Sequence, residues 1–182
     1  HFELAHLPHS WDRLRQVEWP PFQAYAQAGL ASVMTAHIIF DALDASVPAT
    51  MSQTLLQGVL RKELGFQGVI VSDDLEMKAI ADHYSIGEAA VLGAVAGVDL
   101  FLVCHQPARQ REAIEALVKA VETGRLSRAR VEEANRRVQA LAARFSQPAG
   151  GSLTSLGTVE HRALAQGLST DFEGRDPTEW LA

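Results

Sequence analysis

Apolar residues recur along this chain in two rhythms. Three short runs rich in β-branched side chains, at 31–36, 68–72 and 98–103, are bounded by turn residues, the pattern of strands buried in a parallel sheet. Between them lie segments with helical spacing, each carrying its own start and stop chemistry. Pro20 and Pro21 open a helix to Ala28, with Gly29 suited to a left-handed cap. Ser52 can cap a helix whose Leu55, Leu56, Val59 and Leu60 share one apolar face, and Gly65 can close it. Ser85 and Glu88 have capping-box spacing ahead of an Ala-rich run that ends at Gly97. Pro107 starts a helix to about Thr123, stopped by Gly124. Another begins near Ser127, with Val131, Ala134, Val138 and Leu141 at helical intervals. From Ser146 the composition shifts to Gly, Ser, Thr and Pro, which predicts a globular part over 1–145 and a tail over 146–182 with a short helix at 159–167.

Alternating strands and helices belong to a doubly wound open sheet or to a (β/α)8 barrel. The chain has neither a Gly-x-Gly-x-x-Gly turn after a strand nor a phosphate loop ending in Gly-Lys-Ser/Thr, the strongest marks of nucleotide-binding open sheets. The barrel is favoured. A complete one takes roughly 250 residues and eight strands, so the expected class is α/β, the C-terminal portion of a (β/α)8 barrel with about its last three strands. The chain begins at His1 rather than methionine, which fits a piece of a longer polypeptide that needs the N-terminal part of its own barrel.

Composition narrows the partners. The 182 residues are 47% hydrophobic and 21% charged, enough apolar material for a sizeable core. A net charge of -6 and a pI near 5.6 leave no basic stripe, so nucleic acid is not an expected partner. No apolar run approaches the ~20 residues of a membrane span, and no charged-then-apolar leader opens the chain. The single cysteine, Cys104, excludes an internal disulfide framework and a multi-cysteine zinc site and points to a reducing compartment, the cytoplasm.

In a barrel, chemistry sits where strands run out into their following loops. That rule selects Thr35-Ala36-His37, then Ser72-Asp73-Asp74-Leu75-Glu76-Met77, then Cys104-His105. Two adjacent carboxylates after a buried strand repel each other and lose hydration, a cost rarely accepted without hydrogen bonds or a function. Either could instead cap the helix that follows, and on position alone capping and catalysis stand level. His37 can line a ligand pocket or serve as a hydrogen-bonded structural histidine. Cys104 reads as small-residue packing in a buried setting, and His6 and His9 as residues of a surface loop. Trp11, Trp19 and Trp180 could stack on a flat ligand face, but two fall in a helical approach segment and one in the tail.

The segment Glu63-Leu64-Gly65-Phe66-Gln67-Gly68-Val69-Ile70-Val71-Ser72-Asp73-Asp74-Leu75-Glu76-Met77, with Val33-Met34-Thr35-Ala36-His37 and Pro48-Ala49-Thr50-Met51-Ser52 before it, resembles family 3 glycoside hydrolases. Within that family it is most similar to the β-N-acetylglucosaminidases of peptidoglycan recycling, from His1 to about Phe145. The resemblance implies that Asp73 is the nucleophile of a covalent glycosyl-enzyme intermediate and Asp74 its supporting residue. It further implies that His1, laid ungapped onto the family's Asp-Ser-His triplet, is the general acid and base. Leu4-Ala5 replaces the Leu-Pro that usually follows that histidine. His37, Asp74 and Met77 become candidate substrate-binding residues, and neither cofactor nor metal is implied.

The implied chemistry is consistent. A retaining glycosidase needs one carboxylate to attack the anomeric carbon and a second group to protonate the leaving oxygen and then activate water. A histidine exchanges protons near neutrality without the upward shift a carboxylic acid would need. The expected substrate is a terminal N-acetylglucosamine of a muropeptide-like glycan. Phosphorolysis, or a glucoside substrate, is the alternative within the family. From another class, a half-barrel with no catalysis could serve as an interaction module whose apolar edges a partner covers.

Overall fold

In a computed structural model, which describes residues 4–146, 154 and 156–170, the chain divides into two compact units, 1–145 and 146–182. The first strand is one the hydrophobic pattern missed. β1 (Ala5–Leu7) pairs in parallel with β3 (Ile38–Phe40), Leu7 opposite Phe40, as a two-stranded sheet of its own, so His6 lies in a strand and not in a loop.

Ser10 then caps α1 (Trp11–Arg13) by accepting from the Arg13 N–H. The chain continues as a wider π-type turn through Glu18, with the Trp19 N–H bonded to the Leu14 carbonyl at 2.9 Å. That turn buries Leu14 completely and sets Trp11 edge-on to Trp19, centroids 5.2 Å apart. α2 (Pro20–Gln27) carries its prolines in the first turn, and Gly29, at φ 77°, reverses the chain into β2 (Ser32–Met34).

β2, β4 (Val69–Asp74) and β5 (Leu100–Leu102) form a parallel sheet in that order, with Val33 opposite Ile70 and Asp74 opposite Leu102. β4 is buried at Val69, Ile70 and Ser72. It runs two residues further than its apolar run predicts, so Asp73 and Asp74 end the strand and are not in the loop after it. Between Val71 and Asp74 the pairing with β5 slips by one residue, a bulge that coincides with Ser72-Asp73. Ser72 compensates through its side chain, its Oγ accepting the Leu102 N–H at 3.0 Å. Gly68 admits β4 to the sheet, since a Cβ there would lie 2.8 Å from the Leu30 carbonyl oxygen.

The helices form where their caps place them. Ser52 Oγ accepts from the Leu55 N–H at the head of the helix Thr54–Glu63, which buries Leu56, Val59 and Leu60 but closes with i to i+5 bonds rather than regular α-helical ones. After α3 (Lys78–Ala81), α4 (Ile86–Ala96) begins at Ser85, whose Oγ accepts from the Glu88 N–H. Only that half of the capping box forms, because the Glu88 carboxylate pairs with Arg125. α5 (Pro107–Glu122) packs along α4, and α6 (Arg128–Phe145) opens with the Ser127 side chain on the Arg130 N–H. In the second unit, α7 (Val159–Thr170) extends three residues beyond the predicted 159–167. No described helix is long and apolar enough to cross a membrane.

At the amino end of the sheet, the Asp99 side chain is fully buried and holds three arginines: Arg61 at 2.6 Å, Arg130 at 2.7 Å and Arg137 at 3.3 Å. It also accepts the Ile70 N–H, while Arg61 donates to the Phe66 and Gly68 carbonyls. Burial, opposed by Asp99, pulls Arg61 down to about 10. This cluster ties the start of β4 to β5 and α6, and leaves the opposite end of the sheet to the candidate chemistry.

Candidate active site

At the carboxyl end of β4 the two aspartates are in unlike situations. Asp74 is held on every side. Its Oδ1 accepts the N–H groups of Glu76 at 3.1 Å and Cys104 at 3.3 Å, and its Oδ2 lies 3.1 Å from Nδ1 of His105. Its carbonyl accepts from the Met77 N–H and from Nε2 of His37, and its N–H donates to Asp73 Oδ1 at 2.7 Å. Asp73 is half-buried, and among the described residues its Oδ2 has no hydrogen-bond partner. Neither carboxylate caps α3, whose N-terminal position is taken by Met77 without a side-chain bond. Asp74 instead closes the 74–77 turn, which leaves Asp73 with an oxygen to spare.

The loop after β5 is fastened to the same turn. The Glu76 carboxylate accepts the N–H groups of His105 at 2.5 Å and Gln106 at 3.2 Å. Ligand atoms of Asp74, Glu76 and His105 lie within 4.8 Å of one another, close enough to share a divalent cation, but here the carboxylates are occupied by backbone N–H groups. Cys104 is exposed, not buried as its sequence setting suggests. Its thiol is pushed up, first by desolvation and then by the charges of Asp74, Glu76 and Asp73, which keeps it protonated and a poor nucleophile.

His37 is 5% exposed, with Nδ1 3.0 Å from Thr50 Oγ1 and Nε2 3.0 Å from the Asp74 carbonyl oxygen. Both ring nitrogens are therefore used inside the protein. Burial lowers its pKa, against the bond to Asp74 and the charges of Asp73 and Asp74, so the ring is neutral at neutral pH. Met77 is half-buried beside the aspartates. His1 and Trp180 lie outside the described residues. Sequence reasoning selected Thr35 by its place at a strand end and Thr50 only within the family-like motif, but missed that the two are buried and joined at 2.9 Å between hydroxyls, because their 15-residue separation matches no local period.

Parallel strands followed by helices, with a carboxylate at a strand's carboxyl end whose second oxygen is unpartnered among the described residues, define an α/β scaffold of the enzyme type. The chain belongs to glycosyl hydrolase family 3: residues 1–141 match the glycosyl hydrolase family 3 N terminal domain. It is 35% identical over 136 residues to a β-hexosaminidase of Nitrosomonas eutropha, covering 73% of this chain and 39% of that protein. Among solved structures it superposes on a family 3 β-N-acetylglucosaminidase of Paenibacillus with a TM-score of 0.82 and 41% identity, over 93% of this chain and 33% of that one. A β-glucoside phosphorylase, BglX, matches with a TM-score of 0.73 and 25% identity, over 81% and 28%. The chain thus spans about two fifths or less of the length of these relatives.

Proposed function

We propose that this chain carries the nucleophilic half of a retaining exo-β-N-acetylglucosaminidase acting on terminal N-acetylglucosamine of muropeptide-like glycans. β2, β4 and β5 are read as the last three strands of its (β/α)8 barrel. The observation that carries the reading is the division of labour at the end of β4, where Asp74 is immobilised by the turn and the loop after β5 while Asp73 Oδ2 has no hydrogen-bond partner among the described residues. The relatives' names favour β-N-acetylhexosaminide chemistry. The outer sides of β2 and β5, unpaired among the described residues with Met34 and Leu100 exposed, favour a sheet that continues into a longer chain.

In this reading Asp73 Oδ2 attacks the anomeric carbon as the glycosidic C–O bond breaks, and the leaving oxygen takes a proton from His1. His1 then removes a proton from water, which attacks the anomeric carbon and frees Asp73, with net retention. The test is turnover of aryl β-N-acetylglucosaminide and aryl β-glucoside by the full-length protein beside Asp73→Asn. Preference for the first substrate and a loss of roughly three orders of magnitude or more in the variant are expected, whereas undiminished turnover ends the assignment. The likeness to a phosphorylase favours one variant of the reading, in which phosphate resolves the intermediate. Formation of a sugar 1-phosphate when phosphate is added separates it from hydrolysis.

A further inference from the structure

The hydrogens around His37 can be assigned from the acceptors. The Asp74 carbonyl can only accept, so the 3.0 Å contact from Nε2 requires a hydrogen on that nitrogen. In the neutral ring Nδ1 is then an acceptor, and the Thr50 hydroxyl 3.0 Å away must donate to it. A hydroxyl has one hydrogen, so in the 2.9 Å contact between Thr50 and Thr35 the donor is Thr35. The Ala36 carbonyl, at 3.3 Å from Thr50 Oγ1, is the longer and unused option. Thr50 is 0% exposed and Thr35 8%, which leaves water little access to this order, and Thr35 is itself held by its N–H on the Val71 carbonyl at 2.8 Å. The result is a one-way series of donors from Thr35 to Thr50 to His37, ending on the Asp74 carbonyl.

That ending is where the β4–β5 pairing slips. The bulge between Val71 and Asp74 interrupts the ladder at Ser72-Asp73, and beyond it the chain is held by the Leu75 N–H on the Leu102 carbonyl at 3.0 Å and by the Asp74 carbonyl, which accepts from the Met77 N–H as well as from His37. Asp74 receives His37 on its carbonyl and gives its own N–H to Asp73 Oδ1 at 2.7 Å, so whatever fixes the Asp74 backbone also fixes the rotamer of Asp73. We infer that His37 is a positioning residue for Asp73: its Nε2–H tautomer, anchored by Thr50 and Thr35, locks the Asp74 carbonyl and thereby aims Asp73 Oδ2 at the reacting carbon. The inference rests on Asp73 being the nucleophile, and the experiment separates the two.

In the full-length protein, His37→Gln places an amide nitrogen near the Nε2 position and retains the donor to Asp74. His37→Asn reaches only Thr50, and His37→Leu reaches neither. Each is read by kcat and KM on an aryl β-N-acetylglucosaminide, and by the rate and site of labelling with a 5-fluoro glycosyl fluoride that traps a glycosyl-enzyme. Misplacement of a reacting group by about 1 Å can cost on the order of 100-fold. His37→Leu and His37→Asn are therefore expected to lose about 10- to 100-fold in kcat and in labelling rate with KM within about twofold, and His37→Gln to recover most of it. Equal losses in the glutamine and asparagine variants, or losses that track Tm alone, reduce His37 to a packing residue and overturn the inference.

A label on a residue other than Asp73 defeats the nucleophile assignment itself. A label on Asp73 that forms at the unsubstituted rate in His37→Leu defeats only the positioning role. Should the variants fail to fold, nitrogen-15 spectra of the unsubstituted protein decide. The His37 ring must show hydrogen on Nε2 alone between about pH 7.5 and 8.5, and an Nδ1–H tautomer or an imidazolium there overturns the inference.

Discussion

Replacing Asp74 in the full-length protein tests how the end of β4 is held. Asp74→Ala removes the acceptor for the Glu76 N–H at 3.1 Å and the Cys104 N–H at 3.3 Å, and the contact with His105 at 3.1 Å. A hydrogen bond to a charged group is worth about 1.5–3 kcal/mol net, but the three lost contacts are unequal. The His105 side chain is 73% exposed, so its pairing contributes at most about 1 kcal/mol. Water can replace the acceptor at exposed Cys104 but less easily at the half-buried turn of Glu76. The expected cost is therefore about 2–3 kcal/mol for Asp74→Ala. Asp74→Asn, whose amide oxygen still accepts from both N–H groups, should cost about 1 kcal/mol.

Because Asp73 takes its hydrogen bond from the backbone N–H of residue 74, that bond survives both substitutions. Turnover should fall only about tenfold in Asp74→Ala, from a looser frame rather than a lost nucleophile. Urea midpoints with matched m-values, and kcat on an aryl glycoside, check both numbers. Equal damage from alanine and asparagine, or an alanine variant within about 0.5 kcal/mol of the parent, would refute the reasoning.

Two further outcomes follow from buried charge. Asp99→Asn leaves Arg61, Arg130 and Arg137 without the carboxylate that holds them, and breaking a buried pair costs about 3–5 kcal/mol. A denaturant midpoint equivalent to less than about 1 kcal/mol of loss would show that the three arginines find other partners. For His37, burial makes the folded ring harder to protonate than the ordinary 6.5, so below that pH the unfolded chain takes up a proton first and acid favours unfolding. Stability from this group is intact above pH 6.5 and is lost as pH falls through the lower folded value. Comparing urea midpoints at pH 7.5 and 5.5 should give a smaller acid-induced drop in His37→Gln than in the parent. An equal drop in both would remove His37 as the cause.

Local chemistry was legible where it acts over a few residues. Ser52, Ser85 and Ser127 each place a side-chain oxygen on an N–H three residues on, at the helix starts their positions predict, and Gly65 and Gly124 take positive φ at the stops. The apolar runs around residues 33, 70 and 101 became parallel neighbours, but only the central one, β4, is buried as its pattern predicts, while the flanking β2 and β5 leave Met34 and Leu100 exposed. The family motif likewise singled out Asp73 and Asp74 and implied their separate roles, nucleophile and support, but position along the strand alone did not show which contacts hold each carboxylate.

What only the tertiary structure decided is long-range pairing. β1 is three residues of weak pattern that become a strand solely by lying against β3, 33 residues later in the chain. Asp99 reads as an interruption in an apolar run until Arg61 and Arg130, 38 and 31 residues away, converge on it. Division of roles between the two aspartates depends on Cys104 and His105 from the loop after β5 and on His37 and Thr50 from the β2 side. Periodicity records which face of an element is apolar, because burial is set by the spacing of side chains along that element. Hydrogen bonds between elements depend on a bulge at Ser72-Asp73 and on where two loops end, and only the folded chain brings those groups within reach of one another.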